Sequence, residues 1–261
     1  MQEQFFQRTT SQDYIYMMNP EDVKKIEDDL RGKLIDEWEY PKVAILIPLE
    51  RNLSYVDTVL PHFINIARRR PHFFWGEYSP TVMGRNEGAK LLLGSDFTHI
   101  LMLDSDHEHP VDIVERLAKW VIAFPEVKIV GGLNYSRRPP YAPCAHMVDD
   151  NGNWYVPAEY PSGTLSSVDM LGTGCILISK EVFEDIEPPW FDFDLSRWDE
   201  GIYGGEDTYF SKKCKDAGID LWVDPDVSSP HIDYHGVTRE TWKSWYAEHG
   251  FDNGKSVERF K

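Results

Sequence analysis

The sequence contains few cysteines. Three occur among its 261 residues, at Cys144, Cys175 and Cys214. They are odd in number and lack the spacing of a zinc site. Cys175 and Cys214 lie within apolar or helical patterns, so we predict that both are buried thiols. The cysteines therefore argue against a zinc protein.

Cationic residues are also scarce. Lysine and arginine number 27, whereas aspartate and glutamate number 44, which gives a formal net charge of −17. Such a charge opposes a broad electrostatic grip on nucleic acid or on an anionic membrane. Only short basic clusters occur, at residues 68–70 and 137–138.

Long apolar runs are missing as well. No stretch approaches the length needed to span a membrane, and no cationic, apolar signal segment opens the chain. We therefore expect no transmembrane segment and a cytoplasmic location. Repeats and low-complexity tracts are absent from the sequence too.

Apolar strand patterns alternate with amphipathic helical patterns in the first half of the chain. The run at residues 43–48 has no polar alternation and predicts a strand buried on both faces. Helical spacing follows at 56–67, and further strands are predicted at 73–75, 100–103 and 127–133. The pattern predicts an α/β fold: one Rossmann-like domain with a mostly parallel central sheet flanked by helices, and an N-terminal helical arm.

The chain is divided as follows by these patterns. Residues 1–40 form the arm and its helix, and residues 41–236 form the main domain, with a nucleotide-binding half at 41–133 and an acceptor half at 134–236. Residues 237–261 form a C-terminal helix and tail.

The chain is organised around the acidic triplet Asp104-Ser105-Asp106. An Asp-x-Asp triplet alone is a weak signal, because acidic residues are common in solvated loops. Here it follows a buried strand and precedes a helical pattern that begins near Pro110. Two carboxylates at that edge need a positive partner, and hard oxygen ligands suit Mg²⁺ or Mn²⁺. The triplet therefore predicts a metal site beyond the carboxyl end of a strand.

Six segments in order resemble a GT-A-fold glycosyltransferase of the small family-2-like type found in bacteria and their phages. They are VAILIPLERN, MGRNEGAK, THILMLDSD, MLGTGCILIS, YGGEDTYF and DPDVSSPHIDYHG. The resemblance covers residues 42–236. The Asp-x-Asp triplet and the Gly-Glu-Asp triplet in this order are more specific together than either is alone.

The resemblance implies a donor site. Asp106 binds Mn²⁺ or Mg²⁺ directly, and Asp104 reaches the ribose or a metal-bound water. A histidine after the last core strand supplies a further ligand, with His231 preferred and His235 as its rival. A lone histidine more often packs or caps a loop, and His107 and His109 are interpreted in that way. The remaining residues expected near the nucleotide are Pro48, Glu50, Arg51, Asn52, Arg85, Asn86 and Ser105.

The resemblance also implies an acceptor site around Gly204-Gly205-Glu206-Asp207. Two acids at a helix start could simply favour the helix dipole. In inverting relatives the aspartate of such a pair removes the acceptor proton, so Asp207 is assigned as general base and Glu206 as acceptor ligand. Their roles could be exchanged, and a retaining mechanism stays open. Further acceptor-binding candidates are Trp190, Tyr203 and Gly205, although core packing explains the aromatic residues equally well.

The sequence therefore predicts a metal-dependent glycosyltransferase that moves a sugar from a UDP or GDP donor to an acceptor hydroxyl. A sugar nucleotidyltransferase is the rival enzyme, although no glycine-rich phosphate loop with a lysine follows the first strand. A non-catalytic carbohydrate-binding protein is the third alternative. The acceptor (glycan, protein, metabolite or modified nucleobase) and the oligomeric state are left open.

Overall fold

The computed structural model describes residues 14–15, 20–48, 63, 66, 73–76, 81–149, 154–197, 199, 202–232 and 236–249. These residues include six α-helices: α1 (Pro20–Arg31), α2 (Thr81–Leu93), α3 (Ile113–Ala123), α4 (Lys180–Asp185), α5 (Glu206–Asp216) and α6 (Arg239–His249). A 3₁₀ turn spans Ile35–Glu37. Among the helices described, none is both long enough and apolar enough to cross a membrane.

The strands in chain order begin with β1 (Tyr14–Ile15), β2 (Val43–Pro48), β3 (Phe73–Gly76), β4 (His99–Leu103) and β5 (Ile129–Gly132). The next are β6 (Ala145–Val148), β7 (Trp154–Tyr155), β8 (Leu165–Val168), β9 (Met170–Leu171) and β10 (Cys175–Ser179). The last are β11 (Asp194–Arg197), β12 (Ile202–Gly204), β13 (Leu221–Asp224), β14 (His231–Ile232) and β15 (Gly236–Val237).

Eight of these strands form the central sheet, in the order β1-β8-β13-β5-β10-β4-β2-β3. Strand β2 is parallel to both β3 and β4, and β13 is parallel to β5. Strand β10 runs against β4 and β5, and β8 runs against β13 and β1. Six of the eight described strands therefore point the same way, and the predicted mostly parallel α/β fold is confirmed.

Both faces of the sheet are covered, which explains why its strands read as unbroken apolar runs. Along β2, Val43, Ile45 and Ile47 face a core shared with α1 and α3. Leu46, between them, faces the opposite core, which includes residues of α2, α4 and α5. Successive residues of β2 are therefore buried on opposite faces of the sheet, because successive side chains of a strand point to opposite sides.

The segment MLGTGCILIS forms two strands that belong to different sheets. Strand β9 pairs with β6 in a small sheet, and β10 lies in the central sheet, with residues 172–174 between them. The backbone N–H of Gly172 donates to the carbonyl of Cys144, and a Cβ at Gly172 would lie 2.8 Å from the Cβ of Cys144. The glycine therefore allows the two backbone segments to approach closely. The helix predicted at 56–67 lies outside the described residues except for Phe63 and Ile66.

The directions of the strands place the carboxyl ends of several parallel strands at one edge of the sheet. Strands β2, β4, β5 and β13 all end at this edge, and the antiparallel strand β10 begins there. The N–H of Asp104, just after β4, accordingly donates to the carbonyl of Gly174, just before β10, at 2.9 Å. The acidic triplet thus lies beyond the carboxyl ends of parallel strands, where open α/β sheets bind ligands.

Helix α1 is built into the core beneath this edge. Leu30 is 7% exposed and belongs to the same apolar cluster as the inward residues of β2. Glu27 of α1 accepts a hydrogen bond from Lys119 of α3 at 2.7 Å. The helix therefore contributes both apolar burial and a charge-assisted contact.

We expect Leu30→Ala to lower the free energy of unfolding by about 2–5 kcal/mol, as large-to-small core changes do. Urea denaturation followed by circular dichroism should show one cooperative transition at a lower midpoint. Lys24→Ala, at an exposed position of the same helix, is the control. A separate early transition with an unmoved main midpoint would show that α1 unfolds independently.

Candidate active site

A buried arginine joins the two acidic motifs. Arg85, on α2, is 1% exposed. Its Nη2 donates to Oδ1 of Asp104 at 2.7 Å, and its Nη1 donates to the carbonyl of Thr173 at 3.0 Å. Its Nε lies 3.5 Å from Oε1 of Glu206, the first residue of α5. Nε makes no hydrogen bond to the described residues, so the guanidinium is hydrogen-bonded to Asp104 and ion-paired with Glu206. Removing a charge from water is costly unless it is paired, so this arginine keeps both carboxylates beside it.

A second cluster surrounds Asp106. Its Oδ1 accepts from Nδ1 of His107 at 3.0 Å. Its Oδ2 lies 3.4 Å from Nε2 of His231 and 3.1 Å from Nη1 of Arg137. The ligand atoms of Asp106, His107 and His231 all lie within 4.8 Å of one another. The predicted pair of Asp106 and His231 is therefore brought together, with two unforeseen neighbours.

Backbone pairing creates this cluster. His107 and His231 form an isolated antiparallel bridge. The N–H of Glu108 donates to the carbonyl of Pro230, and the N–H of Ile232 donates to the carbonyl of Asp106. The two imidazole rings consequently lie with centroids 3.8 Å apart. The loop after β4 is thus held to the start of β14.

Hydrogen bonds orient the imidazole rings. Nδ1 of His231 lies 2.8 Å from the carbonyl oxygen of Tyr135, which can only accept. This bond places the proton on Nδ1 and leaves a lone pair on Nε2, the usual arrangement of a metal-ligating histidine. Nε2 of His107 is buried and meets no hydrogen-bond partner in the described part of the chain. Both nitrogens are suited to a cation.

His109 supports the backbone of the acidic triplet instead. Its Nε2 bonds the carbonyl of Asp104 at 2.9 Å, and its Nδ1 bonds Oγ of Ser229 at 2.8 Å. Burial lowers the pKa of His109 to about 3, so the ring is neutral at physiological pH. The sequence-based interpretation of His109 as a loop residue agrees with this placement.

The protonation states favour a metal. Burial alone raises the pKa of Asp106, but its contacts with His107 and His231 outweigh that effect and hold the pKa well below its usual range. Burial lowers the pKa of His107. An ionised carboxylate therefore faces the neutral imidazole of His107. This oxygen and nitrogen set fits Mn²⁺ and related first-row cations.

Asp104 is not part of this cluster within the described residues. Its Oδ1 is paired with Arg85, and its Oδ2 lies 3.0 Å from where a Cβ on Gly174 would stand. The same added Cβ would lie 3.0 Å from Cε1 of His107. A side chain at position 174 would therefore require the side chains of Asp104 and His107 to shift by a few tenths of an ångström.

Asp207 lies at the second position of α5. Its Oδ1 accepts from the N–H of Thr208 at 2.7 Å. Gly205 is the residue before the helix, and a Cβ there would lie 2.9 Å from Oδ1 of Asp207. Burial, and then the charge of Glu206, raise the pKa of Asp207 to about 6. Such a carboxylate is ionised at neutral pH and is more basic than an ordinary aspartate.

Other predicted residues lie elsewhere. Asn86 does not face the acidic edge. Its Nδ2 donates to the carbonyls of Val82 and Phe191, and its Oδ1 accepts from the N–H groups of Trp190 and Phe191. Trp190 is 4% exposed, and its indole N–H donates to the carbonyl of Ile186, so its ring belongs to the core.

The remaining candidates can be placed only in part. Pro48 is buried at the end of β2, and Ser105 is half-buried in the turn after β4. Tyr203 lies on β12, with its side chain undescribed. The described residues do not include Glu50, Arg51, Asn52 and His235.

The sequence analysis did not predict that His107 and Arg137 contact Asp106. His107 directly follows the triplet, and its residue type was the available signal. Arg137 belongs to the short basic cluster after β5, and no spacing connects it with Asp106. Its contact arises because the edge of the sheet brings two loops together.

Comparisons with known proteins agree on the fold. No family model matches the chain, and no curated protein matches its sequence. The structure is similar to that of A197 from STIV, with a TM-score of 0.55, 17% identity, and coverage of 77% of this chain and 91% of that one. The fold is therefore GT-A-like.

Two further solved structures are similar at a lower level. One is GalNAc-T7 with UDP, GalNAc and Mn²⁺, with a TM-score of 0.49, 13% identity, and coverage of 88% of this chain and 57% of that one. The other is CMP:2-keto-3-deoxy-manno-octonic acid synthetase complexed with CTP, with a TM-score of 0.44, 13% identity, and coverage of 80% and 98%.

We expect Asn86→Ala to lower the free energy of unfolding by about 1–3 kcal/mol, because buried backbone groups at Trp190 and Phe191 lose their partners. Affinity for UDP with Mn²⁺ should change little. Urea denaturation and calorimetry measure the two effects, with Lys90→Ala on the same helix as control. A tenfold loss of UDP affinity without loss of stability would instead place Asn86 at the nucleotide.

Proposed function

We propose that this protein is a metal-dependent glycosyltransferase that moves a sugar from a nucleoside-diphosphate donor to an acceptor hydroxyl. The observation that carries the proposal is the buried Arg85, which joins the acidic turn after β4 to the Glu206-Asp207 pair on α5. One edge of a GT-A-like sheet thereby presents a cation-binding cluster and a separate carboxylate base.

Asp106 and His231 would hold Mn²⁺ or Mg²⁺, with His107 beside them. A bound divalent cation would stabilise the negative charge that develops on the diphosphate as the sugar leaves. Asp104, fixed by Arg85, is assigned to the ribose or to a water of the metal. The donor base is assigned to the edge near Pro48 and residues 50–52, and the nucleotide is of UDP or GDP type.

Arg137 is assigned to bind the donor phosphates once a cation occupies Asp106. Its guanidinium contacts Oδ2 of Asp106, the same oxygen that faces His231. A divalent cation on that oxygen would compete with Arg137, because two cations repel at such short range. The side chain is 40% exposed, and it is assigned to turn toward the donor phosphates when the cation binds. Arginine matches phosphate oxygens with paired donors.

Asp207 is assigned as the base that removes the acceptor proton. Its raised pKa gives it more proton affinity than an ordinary aspartate, while it stays ionised above about pH 6. A single displacement with inversion follows from one base and one metal-bound leaving group. Glu206, held by Arg85, is assigned to bind the acceptor.

A sugar nucleotidyltransferase would also bind a metal and a nucleotide at this edge. If it acted on a sugar phosphate it would need no base, because that nucleophile is already ionised. A carbohydrate-binding protein would need neither the metal cluster nor the base. Thermal-shift screening separates the three. Stabilisation by UDP or GDP with Mn²⁺ supports the transferase, preference for a triphosphate supports the nucleotidyltransferase, and stabilisation by free sugar alone supports the binding protein.

Calorimetric titration with Mn²⁺ should reveal opposite effects of two substitutions. Asp106→Asn should weaken Mn²⁺ binding by about tenfold or more, roughly 1.4 kcal/mol, because the ionised ligand is lost. Arg137→Ala should strengthen Mn²⁺ binding in the absence of nucleotide, because a competing cation is removed. It should nevertheless weaken the binding of UDP to the Mn²⁺-loaded protein.

Arg138→Ala is the matched control, since it removes an exposed arginine from the same loop. It should leave Mn²⁺ affinity unchanged. Equal Mn²⁺ affinity in wild type and Asp106→Asn would refute the metal site. A loss of Mn²⁺ affinity in Arg137→Ala would refute the competition and make Arg137 a structural support.

Asp207→Asn should lower the transfer rate by about 10²–10⁴-fold, because the amide keeps the size but cannot take a proton. Donor and Mn²⁺ affinity should stay close to wild type. In the wild-type enzyme the rate should fall as the pH drops below about 6, where Asp207 becomes protonated. A transfer assay over pH, beside calorimetry, measures both effects.

Asp207→Asn should lower the transfer rate but raise the stability of the fold. A carboxyl whose folded pKa is raised destabilises the fold once it ionises, so its penalty is absent below its unfolded pKa of about 4 and complete above about 6. Asp207→Asn should therefore raise the melting temperature at pH 8 more than at pH 4.

Near-normal transfer by the Asp207→Asn variant would instead assign the base to Glu206 or favour a retaining mechanism.

A further inference from the structure

A large cavity lies between α6 and the edge of the sheet. Its volume is about 580 Å³, within the range of small-molecule sites. Aromatic and cationic side chains form most of its chemistry: Tyr135, Tyr160, Trp242, Tyr246, Arg239 and Lys243. The donor and base assignments above use none of these side chains.

The walls of the cavity are rich in aromatic rings and poor in aliphatic groups. Among the described residues of its lining, the aliphatic ones are alanine and proline, at Ala158, Pro161 and Ala247. A lipid chain is better matched by branched aliphatic walls. Flat rings suit the apolar face of a pyranose, and their polar edges suit its hydroxyls.

The charges around the cavity are mixed. The Nη2 of Arg239 donates to the carbonyl of Pro225 at 2.6 Å, and its Nε donates to the hydroxyl of Tyr135 at 3.3 Å. This guanidinium is therefore largely used within the protein. Lys243 and Glu159, both exposed, add opposite charges to the lining. A polyanion would require a stronger excess of free cations.

Tyr135 connects the cavity with the catalytic edge. Its ring lines the cavity, while its carbonyl accepts from Nδ1 of His231 at 2.8 Å. Tyr135 also forms an isolated β-bridge with Pro143. The carbonyl of the next residue, Cys144, accepts a hydrogen bond from the N–H of Gly172. The N–H of Leu171 donates to Oγ of Ser211 on α5, the helix that carries Asp207. One short segment thus borders the cavity and the metal cluster and is linked to the helix of the proposed base.

We propose that this cavity binds a saccharide unit of the acceptor, so that the acceptor is an oligosaccharide or a glycoconjugate rather than a lone metabolite or nucleobase. The proposal rests on the proposed glycosyltransferase function. Tyr135, Tyr160 and Trp242 are buried and form the floor of the cavity, whereas the partly exposed ring of Tyr246 stacks against one sugar unit. The unit that carries the reactive hydroxyl extends past Tyr135 toward α5 and Asp207.

The test fills the cavity from an exposed position. Ala247→Trp places a large ring at its lining, and Ser244→Trp makes a comparable change on the same helix away from the lining. Saturation-transfer NMR is recorded with a panel of di- to tetrasaccharides of glucose, galactose, N-acetylglucosamine and rhamnose. Calorimetry with UDP and Mn²⁺ is run on the same proteins.

At least one saccharide should bind wild type and Ser244→Trp, and its affinity should fall by tenfold or more in Ala247→Trp. UDP affinity should be equal in all three proteins. Binding of no saccharide by wild type, or equal saccharide binding by wild type and Ala247→Trp, would overturn the proposal. A selective loss of UDP affinity in Ala247→Trp would assign the cavity to the donor and also overturn it.

A second pair of variants tests stacking. Tyr246→Phe keeps the ring and should keep saccharide binding, whereas Tyr246→Leu should lose saccharide binding while its circular dichroism spectrum remains that of the folded protein. Equal binding by both would refute the stacking role. The outcomes are separate from those of the proposed function. If wild type binds saccharide but neither binds UDP with Mn²⁺ nor transfers sugar, the glycosyltransferase assignment fails while the cavity assignment stands.

Discussion

The sheet edge that carries both acidic motifs depends on one buried cation, the guanidinium of Arg85. It is 1% exposed and lies within reach of Asp104 after β4, Thr173 before β10 and Glu206 at the start of α5. In a poorly solvated position such a charge is tolerated only with partners, and each partner is in turn held in place. The relative position of the two acidic motifs therefore follows from a single electrostatic constraint.

The two motifs differ in their electrostatic environment. Asp106 accepts a hydrogen bond from His107, lies beside His231 and keeps a low pKa, whereas burial and the charge of Glu206 raise the pKa of Asp207 to about 6. Two carboxylates with pKa values moved in opposite directions can serve different roles. The first is suited to a permanent cation ligand, and the second to accepting a proton. This division favours transfer to a hydroxyl over simple nucleotide binding.

The segment after β5 links the parts of the proposed site. The carbonyl of Tyr135 accepts a hydrogen bond from His231, and its ring lines the aromatic cavity. Arg137, two residues after Tyr135, contacts Asp106. Cation binding at Asp106 and filling of the cavity would both act on this segment. The two ends of this loop are joined by backbone hydrogen bonds, from the N–H of Ser136 to the carbonyl of Ala142 and from the N–H of Cys144 to the carbonyl of Asn134. These bonds can keep Tyr135 in place while the side chain of Arg137 changes partner.

The sequence by itself determined the elements of this fold, because the periodic burial of apolar residues is a local property. The strand at 43–48, the helix that begins at Glu206 and the acidic turn at 104–106 could all be predicted, as could the proximity of Asp106 and His231 through resemblance. Only the tertiary structure decided which polar groups meet. It placed His107 beside Asp106, brought Arg137 from another loop, and turned Asn86 and Trp190 toward the core. The reason is that β10 lies antiparallel between β4 and β5, and this strand order brings distant loops to one edge.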